Sequence, residues 1–169
     1  LKYKWELGIA NGTADNLGGQ ILDGGHRMWA KYAEGAANSP EARVYSGTGD
    51  AEVPVLANRS GTITLEYDFV VYDMPAYETW ETTRTFCCYG FSMAMSSADK
   101  YGYMAGITNT AEGLRFCVMK AEGEKSVLLG KELGETFHIR QDWTMDGDLV
   151  VYLDGKLLHT FKGAGYDPS

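Results

Sequence analysis

The clearest signal in the chain is strict alternation. From Thr62 to Phe69, Ile63, Leu65, Tyr67 and Phe69 occupy one parity and Thr62, Thr64, Glu66 and Asp68 the other. That pattern predicts a strand over residues 62–69 with one face buried and one in water. Residues 137–143 repeat it, setting Phe137, Ile139 and Trp143 against His138, Arg140 and Asp142. Residues 86–95 are apolar at both parities, as a central strand covered on both sides would be. Strands are also predicted over 101–107, after the polar turn from Ser96 to Lys100, and over 114–120, with a turn from Asn109 to Gly113 between them. Ser126 to Leu129 reads as a shorter one. Asp146-Gly147 and Asp154-Gly155 are pairs that supply positive-φ residues to tight hairpins, and they delimit strands over 149–153 and 156–161.

The first sixty residues are less regular. Lys2 to Ile9 and Ala42 to Tyr45 read as short strands, and Met28 to Ala33 suits a strand or a helical turn equally. Gly18-Gly19, Gly24-Gly25 and Gly47-Thr48-Gly49 read as loops, and none has the spacing of a dinucleotide or phosphate loop. Many short strands joined by hairpins, with no helical periods between them, predict an all-β fold. An antiparallel β-sandwich or jelly roll fits, and βαβ units do not. No repeat, linker or low-complexity tract interrupts residues 1–169, which are expected to form a single domain.

Charge and composition narrow the partners. Twenty-three acidic against 15 basic residues give a formal charge of −8, a field that repels phosphate backbones, and no Lys/Arg cluster offsets it locally. Nucleic acid is therefore not the expected partner, whereas neutral or cationic ligands stay open. No apolar run approaches the roughly 20 residues of a membrane-spanning helix, so membrane insertion is not expected. Eleven Tyr, six Phe and four Trp argue for a packed core over disorder. The three cysteines, Cys87, Cys88 and Cys117, form no disulfide framework. Cys87 and Cys88 are neighbours on one predicted strand and point to opposite faces, so one of them at most meets Cys117, and buried free thiols are the simpler expectation. The chain opens at Leu1 with neither an initiator Met nor a signal segment, and is expected to be a processed piece of a larger one.

The run from Phe137 to Arg140, followed by Asp146-Gly147-Asp148-Leu149-Val150-Val151-Tyr152-Leu153-Asp154-Gly155-Lys156-Leu157-Leu158, resembles the late hairpin of concanavalin A-like lectin/glucanase domains, the laminin-G-like members above all. Thr62 to Phe69 resembles an earlier strand of the same superfamily, and the likeness extends from about Ala42 to Phe161. It implies two packed antiparallel sheets, one of them concave, in a secreted or surface-attached protein that handles glycans. The resemblance also implies a further strand after the Asp154-Gly155 hairpin. Since the chain stops at Ser169, the expectation is either that this short last strand is missing or that the chain is cut within the domain at its C-terminus.

Candidate chemistry falls on the polar parities. Glu66 and Asp68 lie two apart on one strand face, about 7 Å between Cα atoms. They match the start of the E-x-D-x-x-E strand of glucanases on this fold, but Val70 and Val71 stand where the closing Glu should fall, so a retaining pair is not completed there. His138 and Arg140, with Tyr152 on the following strand, resemble the His, Arg and Tyr of jelly-roll polysaccharide lyases, in which Arg neutralises a uronate and Tyr or His moves a proton. A structural ion pair of Arg140 with a carboxylate is the plainer reading. These five residues are the catalytic candidates.

The candidate ligand-binding residues are Tyr77, Glu78 and Trp80, in the polar connection from Asp73 to Arg84, with Arg140 and Asp142. A loop Trp flanked by carboxylates suits a neutral sugar ring; the same Trp folded over the core is the other reading. The histidines make no zinc-ligand spacing. Asp142 followed by Asp146-Gly147-Asp148 lacks the spacing and terminal Glu of a calcium loop, and a structural calcium enters only through the resemblance. No cofactor is expected. The expectation is a carbohydrate-binding or adhesion module, extracellular or at the cell surface and joined to other domains. A glycoside hydrolase or polysaccharide lyase on the same fold, or a structural domain without ligand, are the alternatives.

Overall fold

A computed structural model describes residues 5–10, 17–22, 25–30, 41–46, 61–76, 87–88, 105–118 and 120–164. No helix occurs among them, and every strand pairing is antiparallel. The chain divides into two compact units, Leu1–Glu52 and Val53–Ser169.

In the first unit, β1 (Trp5–Ala10) pairs with β4 (Glu41–Ser46), and β2 (Leu17–Leu22) pairs with β3 (Gly25–Ala30). Of the ambiguous segment Met28 to Ala33, residues 28–30 lie in β3, and 31–33 lie outside the described residues. Gly18 and Gly19, expected in a loop, lie inside β2 opposite Trp29 and Met28. A glycine pair weakens a strand without forbidding it.

The second unit contains two four-stranded sheets. One runs in the order β12 (Lys156–Phe161), β11 (Leu149–Leu153), β10 (Thr136–Trp143), β5 (Ile63–Val70); the other runs β6 (Cys87–Cys88), β7 (Ala105–Thr110), β8 (Gly113–Val118), β9 (Ser126–Leu128). Their inner faces share one core. Ile107, Leu114, Phe116 and Val118 from one sheet join Phe137, Ile139, Trp143, Leu149, Val151 and Phe161 from the other. The rings of Phe116 and Phe161 meet between the sheets with centroids 5.8 Å apart. This arrangement is consistent with a β-sandwich.

Most predicted strands are recovered within a residue or two. The strand predicted over 86–95 is described only at Cys87–Cys88, and residues 89–95 lie outside the described residues, as do 101–104 of the one predicted over 101–107. The turn expected over Asn109–Gly113 is tighter than predicted: β7 continues to Thr110, which pairs directly with Gly113. Thr110 Oγ1 accepts from Glu112 N–H at 3.3 Å and donates to the Gly113 carbonyl at 3.0 Å. One hydroxyl therefore satisfies a turn that needs only two residues, Ala111 and Glu112. Both Asp-Gly hairpins form. Asp154 (φ 50°) and Gly155 (φ 77°) make a two-residue turn with both central residues left-handed. Thr144 to Asp148 close a longer loop around Gly147 at φ 82°.

Cys88 and Cys117 both oppose Gly106, from its two sides. Two strand spacings, about 10 Å, therefore separate them, beyond the roughly 4.4–6.8 Å that a disulfide spans between Cα atoms. Cys117 is buried and is not disulfide-bonded.

Candidate functional site

The outer face of the β5–β10–β11–β12 sheet is polar, as alternation requires once the other parity is buried. Register fixes its rows. Glu66 stands opposite Arg140, Arg140 opposite Tyr152, and Tyr152 opposite Leu157, so one row crosses all four strands. At about 4.8 Å per strand, it extends roughly 14 Å. The adjacent rows hold Asp68 opposite His138 on one side, and Thr64, Asp142, Val150 and Thr160 on the other.

Leu157 joins the row because of a bulge. The register shifts between Val151 and Tyr152, so that Val151 faces His159 and Tyr152 faces Leu157. Leu158 is the extra residue and packs against the core, while Leu157 turns outward and is 62% exposed. Alternation along the strand does not reveal Leu157 as a face residue. The signal for it is the adjacent pair Leu157-Leu158 on a strand with one wet face, since only one of two neighbours can be inside.

Two ion-pair assemblies organise the face. In the first, His138 Nδ1 lies 2.9 Å from Asp68 Oδ1 and Nε2 lies 2.9 Å from Glu66 Oε1. Asp68 is the directly opposed residue and Glu66 the diagonal one, both within reach of a side chain as long as imidazole. Glu66 first, then Asp68, raises the His138 pKa above its ordinary 6.5.

In the second assembly, Arg140 holds Asp142 two-fold, Nε to Oδ1 at 3.0 Å and Nη2 to Oδ2 at 2.9 Å. Thr64 Oγ1 also donates to Asp142 Oδ1 at 2.7 Å. Asp142 is therefore the buried member, its side chain 12% exposed against 47% for Arg140, and Asp142 raises the arginine's pKa further. The guanidinium carbon sits 5.4 Å from the centroid of the Tyr152 ring, within cation–π range.

His138 is fixed from below through its backbone. Its N–H donates to Asp154 Oδ1 at 2.9 Å, and its carbonyl accepts from Asp154 N–H at 2.9 Å. Asp154 Oδ2 meets Lys131 Nζ at 2.8 Å. The His138 N–H, and after it Lys131, hold the Asp154 carboxyl below its ordinary value. Asp154 and Lys131 are positioning residues that alternation does not reveal; the Asp154-Gly155 turn motif marks the place without its side-chain role.

Glu66, Asp68, His138, Arg140, Asp142 and Tyr152 thus come together on one sheet face. Tyr77, Glu78 and Trp80 lie outside the described residues. The connection that carries them begins differently from expectation, because Met74 is buried at 3% exposure instead of remaining outside the core. Asn109 Nδ2 donates to the Met74 carbonyl at 2.9 Å and so satisfies the backbone that accompanies the side chain inward. Asp142 and Asp148, read together as the start of a faint calcium loop, are separately engaged. Asp142 belongs to Arg140, and Asp148 binds Lys162 Nζ and the Gly163 N–H. Among the described residues no three His, Cys, Asp or Glu side chains converge as a metal site, and no helix is long and apolar enough to cross a membrane.

No protein-family model, curated protein or solved structure matches the chain.

Proposed function

We propose that the chain is a carbohydrate-binding module on a jelly-roll β-sandwich of concanavalin A-like type, acting outside the cell or at its surface as part of a larger protein. The ligand is a neutral glycan laid across the outer face of the β5–β10–β11–β12 sheet. The row Glu66, Arg140, Tyr152, Leu157 is the observation that supports this reading. It passes from a carboxylate acceptor through a planar donor to an aromatic ring and an exposed aliphatic side chain. A sugar offers the same sequence of surfaces, hydroxyl edges that hydrogen-bond and C–H faces that stack.

Binding is favoured over hydrolysis or lyase chemistry by how the charges are already engaged. Both ring nitrogens of His138 face carboxylates, which disfavours its use as a general base. The charge of Arg140 is met by buried Asp142, so it is poorly placed to neutralise a uronate. Glu66 and Asp68 are bridged through one imidazole and are not set across an open bond-cleavage site.

Affinity electrophoresis through gels containing a neutral β-glucan, xylan, mannan or galactan tests the reading. Wild type is expected to be retarded by at least one of them, with a Kd between millimolar and micromolar, about −4 to −8 kcal/mol. Tyr152→Ala and Leu157→Ala should each weaken retardation about tenfold, equivalent to roughly 1.4 kcal/mol. If Trp80→Ala abolishes retardation while Tyr152→Ala retains it, the site is the 73–84 connection and not the sheet face. If no neutral polysaccharide retards the wild type, the binding-module reading fails.

A further inference from the structure

We propose that His138 is a proton-operated clamp between β10 and β5: as an imidazolium it holds Glu66 and Asp68 together, and on losing its proton it releases Glu66 and keeps Asp68. The geometry carries the first half. Ionised carboxylates only accept hydrogen bonds, and both ring nitrogens stand 2.9 Å from a carboxylate oxygen. A neutral imidazole has one N–H. It would donate to one carboxylate and turn a lone pair toward the other at hydrogen-bond distance, which is repulsive. The arrangement is therefore the one that a doubly protonated ring satisfies at both nitrogens, and in the proposed clamp deprotonation breaks one of the two contacts.

Which contact breaks follows from what else faces each carboxylate. On β10 the neighbouring charge is Arg140, which stands opposite Glu66 in register and whose own pKa is raised in part by Glu66. From β11 comes Tyr152, which Arg140 covers, and from the following turn comes Asp154, which takes the His138 backbone N–H. Among the described residues, Asp68 has His138 as its ion-pair partner and no second cation beside it. Glu66 can turn toward Arg140; among the described residues Asp68 has no comparable second cation. The remaining proton therefore stays on Nδ1, donated to Asp68. The consequence is a sheet face that gains one negative charge and a reoriented Glu66 as pH rises. The clamp does not depend on the identity of any ligand.

The sign of its effect on stability is fixed by the direction of the pKa. With the folded value raised, the contribution is complete below the ordinary 6.5 and is lost as pH rises through the folded value. Long-range proton–nitrogen NMR of the histidine ring in the full chain, recorded from about pH 5 to 9, reads both halves. The expected result is an imidazolium that persists above pH 6.5 and then converts to the Nδ1–H tautomer, with Glu66→Gln and Asp68→Asn each lowering the midpoint. A midpoint at or below 6.5 in wild type overturns the clamp. So does a midpoint that neither substitution moves, with backbone spectra confirming that each variant is folded. An Nε2–H tautomer at high pH overturns the release of Glu66.

Discussion

Phe116 on β8 and Phe161 on β12 are both fully buried, belong to different sheets, and meet ring to ring across the core. Replacing Phe116 with Ala removes a large buried ring and leaves a cavity that two hydrogen-bonded sheets close poorly, a loss of about 3–5 kcal/mol. Against a native stability of about 5–15 kcal/mol, that is a large share. With a urea slope of about 1–3 kcal/mol per molar, the midpoint should fall by roughly 2 M. Trp fluorescence, to which buried Trp143 contributes, reports the transition.

The double variant tests contact as well as burial. Aromatic pairs contribute about 0.5–1.5 kcal/mol beyond area. The cost of Phe116→Leu with Phe161→Leu should therefore fall short of the summed single costs by roughly 1 kcal/mol. Leu keeps enough volume for all four proteins to fold. Additivity within about 0.5 kcal/mol would mean that the rings do not touch, and would refute the shared core between the sheets. A cost for Phe116→Ala below about 1 kcal/mol would refute its burial.

Three further outcomes follow from single positions. Gly155 sits at φ 77° with open space around the missing Cβ, so Gly155→Ala should cost about 1–2 kcal/mol by backbone strain alone, while Gly61→Ala, equally open and without a positive φ, should change thermal stability little. The Asp148 carboxyl is held below its ordinary 3.8, first by Lys162 and then by the Gly163 N–H. The advantage of wild type over Asp148→Asn in denaturant titrations should be full above pH 3.8 and shrink as pH falls through the lower folded value; an advantage that grows on acidification contradicts it. Cys117 is fully buried, so mass spectrometry should find it unmodified by iodoacetamide in the native protein and alkylated in denaturant.

The strands were legible where one face is wet, because alternation is then enforced by burial. Ile63, Leu65, Tyr67 and Phe69 all came out on the inner parity of β5, and the polar residues opposite them came out on the outer face. Parity also placed His138, Arg140 and Asp142 together. Their relation to Glu66 and Asp68 depends on β5 and β10 being neighbours, a contact across some 70 residues that no local pattern encodes. Tertiary contacts override the pattern in three places. Gln141 lies on the buried parity of β10, fully enclosed, because its amide donates to the Tyr67 hydroxyl at 2.6 Å. Met74 enters the core from a segment whose composition is polar. The bulge beside Tyr152 exchanges Leu157 for Leu158, since a single extra residue reverses every later side chain on the strand.

The charge of the whole chain and the charge of the proposed binding face differ, and the difference bears on the ligand. The chain carries −8, yet the face sets Glu66, Asp68 and Asp142 against His138 and Arg140. With the imidazolium present, three carboxylates meet two cations, which leaves one net negative charge on the row and its neighbours. A surface built to capture a polyanion would leave its cations unneutralised, because unpaired Lys or Arg supplies both the long-range attraction and the specific contact. Here the arginine is spent on a buried aspartate and the histidine on two exposed acids. What the face still presents is directional, with one net negative charge: carboxylate lone pairs, guanidinium edges, one phenol ring and one leucine. Such a surface holds no Coulombic attraction for an anion, so the proposed ligand would be held by hydrogen bonds and ring contact at short range. Among polar ligands, a neutral sugar satisfies both demands without a charge of its own to desolvate.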